Sequence, residues 1–285
     1  MKETKELAAQ LATEVLDGFS SYTKQVCALF GGVRAFEMVF APEIKGATGI
    51  VFNMGTETRT NIDPTYIGER RNLSRLLGGD SYLDTLNIVE CYSSTGKSRE
   101  IRPGDYIEMP VKVPEVEIDG VKYEAIDIEK TELTVVHVND KHVFFNFEDV
   151  LLYGAMNQKN TNNGGFSETT LKEYLNGPFF ENVFRGMERL FQKTGDGFYI
   201  SVPTKHEVFG AGNDDDFNWP ELCTVQFDYF RKYKNRIKTR DDDTKWWWLA
   251  TAAYATGFCY TSSHGGATCD GASNGSGGVA PLLCI

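Results

Sequence analysis

Leu7, Leu11 and Val15 recur at four-residue spacing, with Ala8, Ala12 and Phe19 beside them and charges on the opposite side. This pattern predicts an amphipathic helix over residues 1–30, ended by Gly31-Gly32. Such a helix can pack on its own domain or join copies of the chain, and the stripe looks the same in both cases. Short strands are predicted at 35–40 and 48–52, residues 61–77 are polar with turn residues, and 86–92 alternates weakly. Beyond Arg102-Pro103-Gly104-Asp105 the chain becomes β-branched and aromatic, which predicts strands at 106–113, 121–128, 133–138 and 143–147. Turns at Asp119-Gly120 and Asn139-Asp140 make two hairpins of them. His137 and His142 flank the second turn, but no third ligand is near in sequence, so strand-face histidines are the expected reading.

Two helices are expected next. Ser167 would cap the first, whose apolar stripe is Leu171, Tyr174 and Leu175, and Asn176-Gly177 would break it. Pro178 suits the first position of the second, with Phe180, Val183, Phe184, Met187 and Phe191 toward the core. Residues 198–202 read as a strand, followed by a loop with Asp214-Asp215-Asp216. Arg231, Lys232, Lys234, Arg236, Lys238 and Arg240 precede Asp241-Asp242-Asp243, which reads as a solvated, internally paired segment rather than a docking patch.

Composition narrows the function classes. The 285 residues carry 29 Lys+Arg against 40 Asp+Glu, a net charge of -11 that disfavours nucleic-acid binding. No run of about 18 apolar residues exists to insert in a membrane, and the charge-interleaved N-terminus does not read as a signal peptide. Cysteines at 27, 91, 223, 259, 269 and 284 include no CxxC pair, which removes zinc-knuckle and thioredoxin readings. Whether Cys259 and Cys269 are bridged is left open by their spacing.

The last forty residues differ from the rest. In Trp246-Trp247-Trp248 successive side chains alternate faces, so at least one indole should anchor the core. From Thr251 onward, 35 residues hold seven Gly, six Ala, four Ser and four Thr, without Lys, Arg, Glu or Gln, yet they end in Leu282-Leu283-Cys284-Ile285. A disordered tail would not end so, and the segment reads as strands and loops clamped at both ends. If extended, Tyr260, Ser262, His264, Gly266 and Thr268 share one face. Tyr, Ser, Gly, Asn and His on a rigid frame suit recognition; an ordinary Gly-rich edge strand has the same composition.

The stretch WWWLATAAYATGFCYTSSHGGATCDGASNGSGGVAPLLCI resembles the C-terminal region of the C-type-lectin-like variable proteins of diversity-generating retroelements, phage-associated domains with a double-Trp start and a Gly-Val-x-Pro finish. Gly104-Asp105-Tyr106-Ile107-Glu108, Leu171 to Asn176 with Phe179-Phe180, Phe198 to Glu207, and Asn235-Arg236-Ile237-Lys238 match that layout more weakly, so the resemblance covers about 99–285. It implies an α+β chain: a C-type-lectin-like domain of short twisted antiparallel sheets with two helices at 99–285, its variable region about 246–285. A smaller α+β attachment or oligomerisation domain would occupy 1–98. The implied frame is Trp246 to Thr251, Phe258, Ser263, Gly265, Ala267, Ala272, Ser273 and Gly278 to Ile285. The implied ligand-binding positions are Ala253, Tyr254, Thr256, Tyr260, Ser262, His264, Thr268, Cys269, Asp270 and Asn274. Adenine-directed mutagenesis in such proteins does not yield Lys, Glu, Gln, Trp or Met, and the last 35 residues contain none of them. Asn274-Gly275-Ser276-Gly277 is one residue longer than the usual pattern, which shifts the register there.

The resemblance thus implies a non-enzymatic receptor-binding or adhesion protein of a phage virion, made in the bacterial cytoplasm. It would recognise a cell-surface protein or glycan, contact other virion proteins and form a homo-oligomer, with no cofactor and no metal. Calcium is not implied, because Asp214-Asp215-Asp216 lies outside the part that would hold one. The alternatives are a non-diversified decoration protein, or an enzyme of the formylglycine-generating type, which shares the fold and would need reactive cysteines. A Ser262, His264, Asp270 triad lacks a nucleophile-elbow context.

Overall fold

Strands form over 106–113 and 143–147 as the pattern predicts, whereas the expected strands at 121–128 and 133–138 become a short strand at 121–123 and one long strand at 126–138. The Asp119-Gly120 turn joins 116–118 to 121–123, and the Asn139-Asp140 turn joins 126–138 to 143–147. A computed structural model describes residues 70–210 and 216–285. The expected helix at 1–30, the strands at 35–40 and 48–52, and Asp214 and Asp215 lie outside the described residues. The strands, in chain order, are β1 Tyr106–Val113, β2 Val116–Ile118, β3 Val121–Tyr123, β4 Ile126–Val138, β5 Val143–Phe147, β6 Leu152–Tyr153 and β7 Ile200–Ser201. They continue with β8 Lys238–Arg240, β9 Asp243–Lys245, β10 Trp247–Ala253, β11 Gly257–Thr261, β12 Ala267–Gly271, β13 Gly278–Val279 and β14 Leu282–Cys284. The α-helices are α1 Leu73–Leu77, α2 Tyr82–Ser94, α3 Thr170–Tyr174, α4 Phe180–Val183 and α5 Lys205–Phe209. The described residues are therefore α+β, with more and shorter helices than the two expected.

One five-stranded sheet runs β1-β4-β5-β14-β7 and another β12-β11-β10-β13-β6; β2-β3 and β8-β9 are two-stranded ribbons. Among the named strands of the described residues, pairing is antiparallel except between β10 and β13. The β2–β3 turn uses left-handed Asp119 (φ 46°) and Gly120 (φ 78°), the backbone that a two-residue hairpin on right-twisted strands requires. All five side chains of β5 are buried, so this strand is covered on both faces. Between the sheets and helices lies an aromatic-rich core containing Phe145, Phe147, Tyr174, Phe179, Phe184 and Trp248.

Two expectations about the helices change. Residues 86–92 lie in helix α2, whose Leu86 and Val89 are buried. The compact unit that contains α2 begins at Arg70. The Arg71 guanidinium makes a forked pair with the carboxylate of nearly buried Asp105 (2.9 and 2.6 Å), and the Arg71 carbonyl accepts from the Tyr106 N–H. These contacts weld the segment before α1 to the start of β1. The second change concerns the helix break. Asn176-Gly177 does not end the helix; α3 passes through a π turn at Leu175–Phe179 into α4, with Pro178 inside. The Asn176 side chain accepts from the N–H groups of Tyr199 and Ile200 and donates to the carbonyls of Lys172 and Ile200, so polar groups near the irregular turn are satisfied. Thr169, not Ser167, caps α3. Phe180, Val183, Phe184, Met187 and Phe191 are all buried as expected, although α4 ends at Val183.

The basic run is not a solvated face throughout. Lys238 is buried: its ammonium donates to the carbonyls of Phe147 and Glu148 and sits 5.0 Å from the Trp247 ring centre. Burial pushes its pKa down to about 8. Arg240 pairs at 2.6 Å with Glu124 across the fold, and Arg231 lies 3.3 Å from Asp228.

Candidate functional site

Trp247 and Trp248 project from opposite faces of β10 and both are fully buried, while Trp246 is half-buried. Trp248 donates its indole N–H to the Gly154 carbonyl at 2.8 Å, and Trp247 donates to the Arg236 carbonyl at 2.9 Å. A β carbon on Gly277 would stand 1.9 Å from the Trp248 indole nitrogen, so only glycine fits there. Both faces of the strand are therefore anchored, and the hairpin that follows starts from a rigid base.

That hairpin is β11–β12. The chain does not run straight through 260–268: it turns at residues 262–266, where Ser262 N–H donates to the Gly266 carbonyl at 2.7 Å and Gly265 is left-handed (φ 80°). Tyr260 and Thr268 still share a face, as direct partners across the hairpin, whereas Ser262, His264 and Gly266 occupy the turn. Phe258 pairs with Asp270 and Cys259 with Cys269. Asp270 accepts from Asn274 Nδ2 at 2.7 Å, joining the far end of the hairpin to the next loop.

None of the ten positions singled out in the sequence is buried. Tyr254 (59% exposed), His264, Thr268 and Cys269 are exposed; Ala253, Thr256, Tyr260, Ser262, Asp270 and Asn274 are half-buried. The frame is mostly the reverse, with Trp247, Trp248, Leu249, Ala250, Phe258, Gly265, Ala272 and all of 278–285 buried. Two frame residues, Ala267 and Ser273, are exposed. Tyr260 is held by aromatic contacts, its ring 4.6 Å from Trp246 and 6.3 Å from Trp248, so it serves packing as well as surface.

Two residues outside 246–285 adjoin these positions, and sequence reading passed over both. Asn162 Nδ2 lies 2.9, 2.6 and 3.0 Å from the carbonyls of Ala253, Tyr254 and Gly257, clamping the β10–β11 turn that carries Tyr254. Its signal was the asparagine-rich run from Asn157 to Asn163. Tyr233, 56% exposed, stands against Gly265 in the turn.

The catalytic alternatives gain no support from this geometry. Ser262 Oγ accepts from Gly266 N–H, His264 Nδ1 lies 3.3 Å from Ser263 Oγ, and Asp270 binds Gly271 and Asn274; none of these bonds joins Ser262, His264 and Asp270 to one another. Cys259 and Cys269 are thiols with sulfurs 3.8 Å apart. Burial pushes the Cys259 thiol up to about 12, and Cys269 reinforces this against the weaker pull of Lys205. No cluster of three or more His, Cys, Asp or Glu with metal-binding geometry exists among the described residues.

His137 and His142 take separate partners. His142 Nδ1 lies 3.3 Å from Asn139 Oδ1. His137 stacks on Phe227 (5.5 Å) and pairs through Nδ1 with Asp228 Oδ2 at 2.9 Å. Burial alone would lower its pKa, but the Asp228 and Cys223 contacts outweigh it and raise the value from 6.5 to about 9. A raised folded-state value means the pair's stabilisation is complete below about pH 6.5 and is lost as pH rises through about 9. Urea unfolding at pH 6 and at pH 9.5 should differ by about 2–3 kcal/mol from this source, given 1.36 kcal/mol per unit. Asp228→Asn should flatten the decline between those pH values; an unchanged slope in that variant would assign it elsewhere.

A family model described as a domain of unknown function, DUF6273, matches residues 140–285. No curated protein and no solved structure matches the chain.

Proposed function

This chain belongs to the DUF6273 family, a domain of unknown function, and we propose that it is a binding protein whose β11–β12 hairpin and adjoining turns present a diversified surface to a protein or glycan on a target cell. The scaffold in this reading is C-type-lectin-like, and the protein works as a receptor-binding or adhesion component of a phage particle. One observation supports it: none of the ten positions that the retroelement resemblance designates as variable is buried, four being exposed and six half-buried, and they lie on the β11–β12 hairpin and the turns that adjoin it, between buried strands β10 and β13–β14. Such a division lets side chains change at the surface while the core stays constant. Tyrosine, serine, histidine and asparagine suit the task, combining contact area with adaptable hydrogen bonding. A surface of this size gives modest affinity per copy, and display of several copies on one particle raises it.

The test is deep sequencing of this gene from the Trp246 codon onward across its source population. Substitutions should concentrate in the codons for Ala253, Tyr254, Thr256, Tyr260, Ser262, His264, Thr268, Cys269, Asp270 and Asn274, with the tryptophans and Gly278 to Pro281 constant. An invariant hairpin would remove the diversified-surface reading. Substitutions spread evenly into the buried frame would remove it too.

A further inference from the structure

Cys259 and Cys269 face each other as direct partners across β11 and β12. Their sulfurs are 3.8 Å apart and both are free thiols. We infer that this pair is a modification site that closes to a cross-strand disulfide when a small-molecule disulfide oxidant reaches Cys269. Direct partners on antiparallel strands have α carbons about 4.5–5.5 Å apart, inside the roughly 4.4–6.8 Å span of disulfides. They also project to the same side of the sheet, so closure needs side-chain rotation and no strand movement. Access is one-sided: Cys269 is exposed, whereas Cys259 is 5% exposed. Cys223 and Cys284 are both buried, out of reach of such an oxidant, and Cys91 is exposed on α2.

The chemistry follows from that asymmetry. The Cys269 thiolate attacks one sulfur of oxidised glutathione, forming a mixed disulfide and expelling one glutathione thiolate. Cys259 then gives its proton to solvent and attacks the Cys269 sulfur, expelling the second glutathione. Two protein thiols are oxidised to one disulfide, and one oxidised glutathione is reduced to two thiols. Because burial raises the pKa of the Cys259 thiol, the second step is the slow one and quickens with pH.

Closure matters because β12 is an edge strand among the described residues, where it pairs with β11 alone. A bridge at its middle residue staples that edge and stiffens the surface carrying Thr268 and Asp270. The inference does not depend on what the hairpin binds.

The experiment treats the full chain with oxidised glutathione at pH 8, alkylates the remaining thiols, and maps chymotryptic peptides without reduction. Cleavage after Tyr260 separates the two cysteines, so a bridged pair is recovered as joined peptides about 2 Da lighter than the two thiol forms together. Tm should rise by about 5 °C or more, dithiothreitol should reverse the rise, and Cys259→Ser and Cys269→Ser should each abolish it. Recovery of both cysteines as alkylated thiols would overturn the proposal. So would a glutathione adduct on Cys269 that goes no further at pH 9, a bridge joining two chains, or a Tm rise that persists in Cys269→Ser.

Discussion

Trp247→Ala unfolds the described body or brings it to the edge of unfolding, while Tyr254→Ala leaves its Tm within about 2 °C of the parent; this contrast is the largest the structure predicts. Trp247 is fully buried, packed beside Phe230 (6.1 Å) and under the Lys238 ammonium, with its N–H spent on the Arg236 carbonyl. Truncating a buried tryptophan costs about 3–5 kcal/mol. The loss also strips Lys238 of the ring it faces, in a pocket that already depresses its pKa. Tyr254 is 59% exposed and rests on Gly257, whose missing side chain leaves room for the ring. Thermal unfolding of the two variants side by side is the measurement. A Tyr254→Ala variant as unstable as Trp247→Ala would show that the tyrosine is a packing residue and end the surface role given to it. Tyr260 is a poorer probe, since its ring leans on Trp246.

Glu207→Ala should cost about 3 kcal/mol or more, although Glu207 lies outside the hairpin. It is the third residue of α5 and completes a capping box with Thr204. Its buried carboxylate accepts from Thr204 N–H (2.8 Å), Asn218 N–H (2.9 Å) and Asn218 Nδ2 (2.8 Å). Removing it leaves three donors without a partner in the interior, at about 1–3 kcal/mol each before relaxation. Burial raises its pKa from 4.5 to about 7, so its protonated form favours folding and stability falls as pH climbs from about 4.5 through 7. Urea midpoints should rank parent, Glu207→Gln, Glu207→Ala, because glutamine keeps one acceptor oxygen. Equal midpoints for parent and Glu207→Ala would show that these donors find other partners.

Much of the sheet structure was legible because single strands advertise themselves. β1 and β5 appear at the residues that alternation and aromatic content pointed to, and Asp119-Gly120 forms the turn its chemistry demands. Helix α2 was not legible, since its buried residues, Thr85, Leu86, Val89 and Ser93, mix polar with apolar and leave no clear stripe. Asn176-Gly177-Pro178 read as a break because local rules see three breakers. Only the folded chain brings the Tyr199 and Ile200 amides to the Asn176 side chain. The turn at 262–266 escaped notice for want of an Asn-Gly or Asp-Gly signal. Within the candidate site, the division between frame and displayed positions came from the family resemblance, since composition alone left a recognition surface and a plain edge strand equal. The supporting residues were not legible, because Asn162 lies 92 positions from the Tyr254 carbonyl it holds and nothing local links them. Lys238 misled for the same reason: a lysine in a basic run looks solvated until two carbonyls from β5 and its end are found around it.

The order of the strands along the chain has a genetic consequence. β13 and β14 follow the hairpin in sequence, yet each is flanked on both sides, β13 by β10 and β6, β14 by β5 and β7. A stop codon or frameshift within the hairpin removes an interior strand from both large sheets at once and exposes Phe145 and Trp248. Such a product cannot bury its core and is left to proteolysis. The fold therefore rejects changes of reading frame in the hairpin, so each copy that folds has been translated through the hairpin to the strands beyond it.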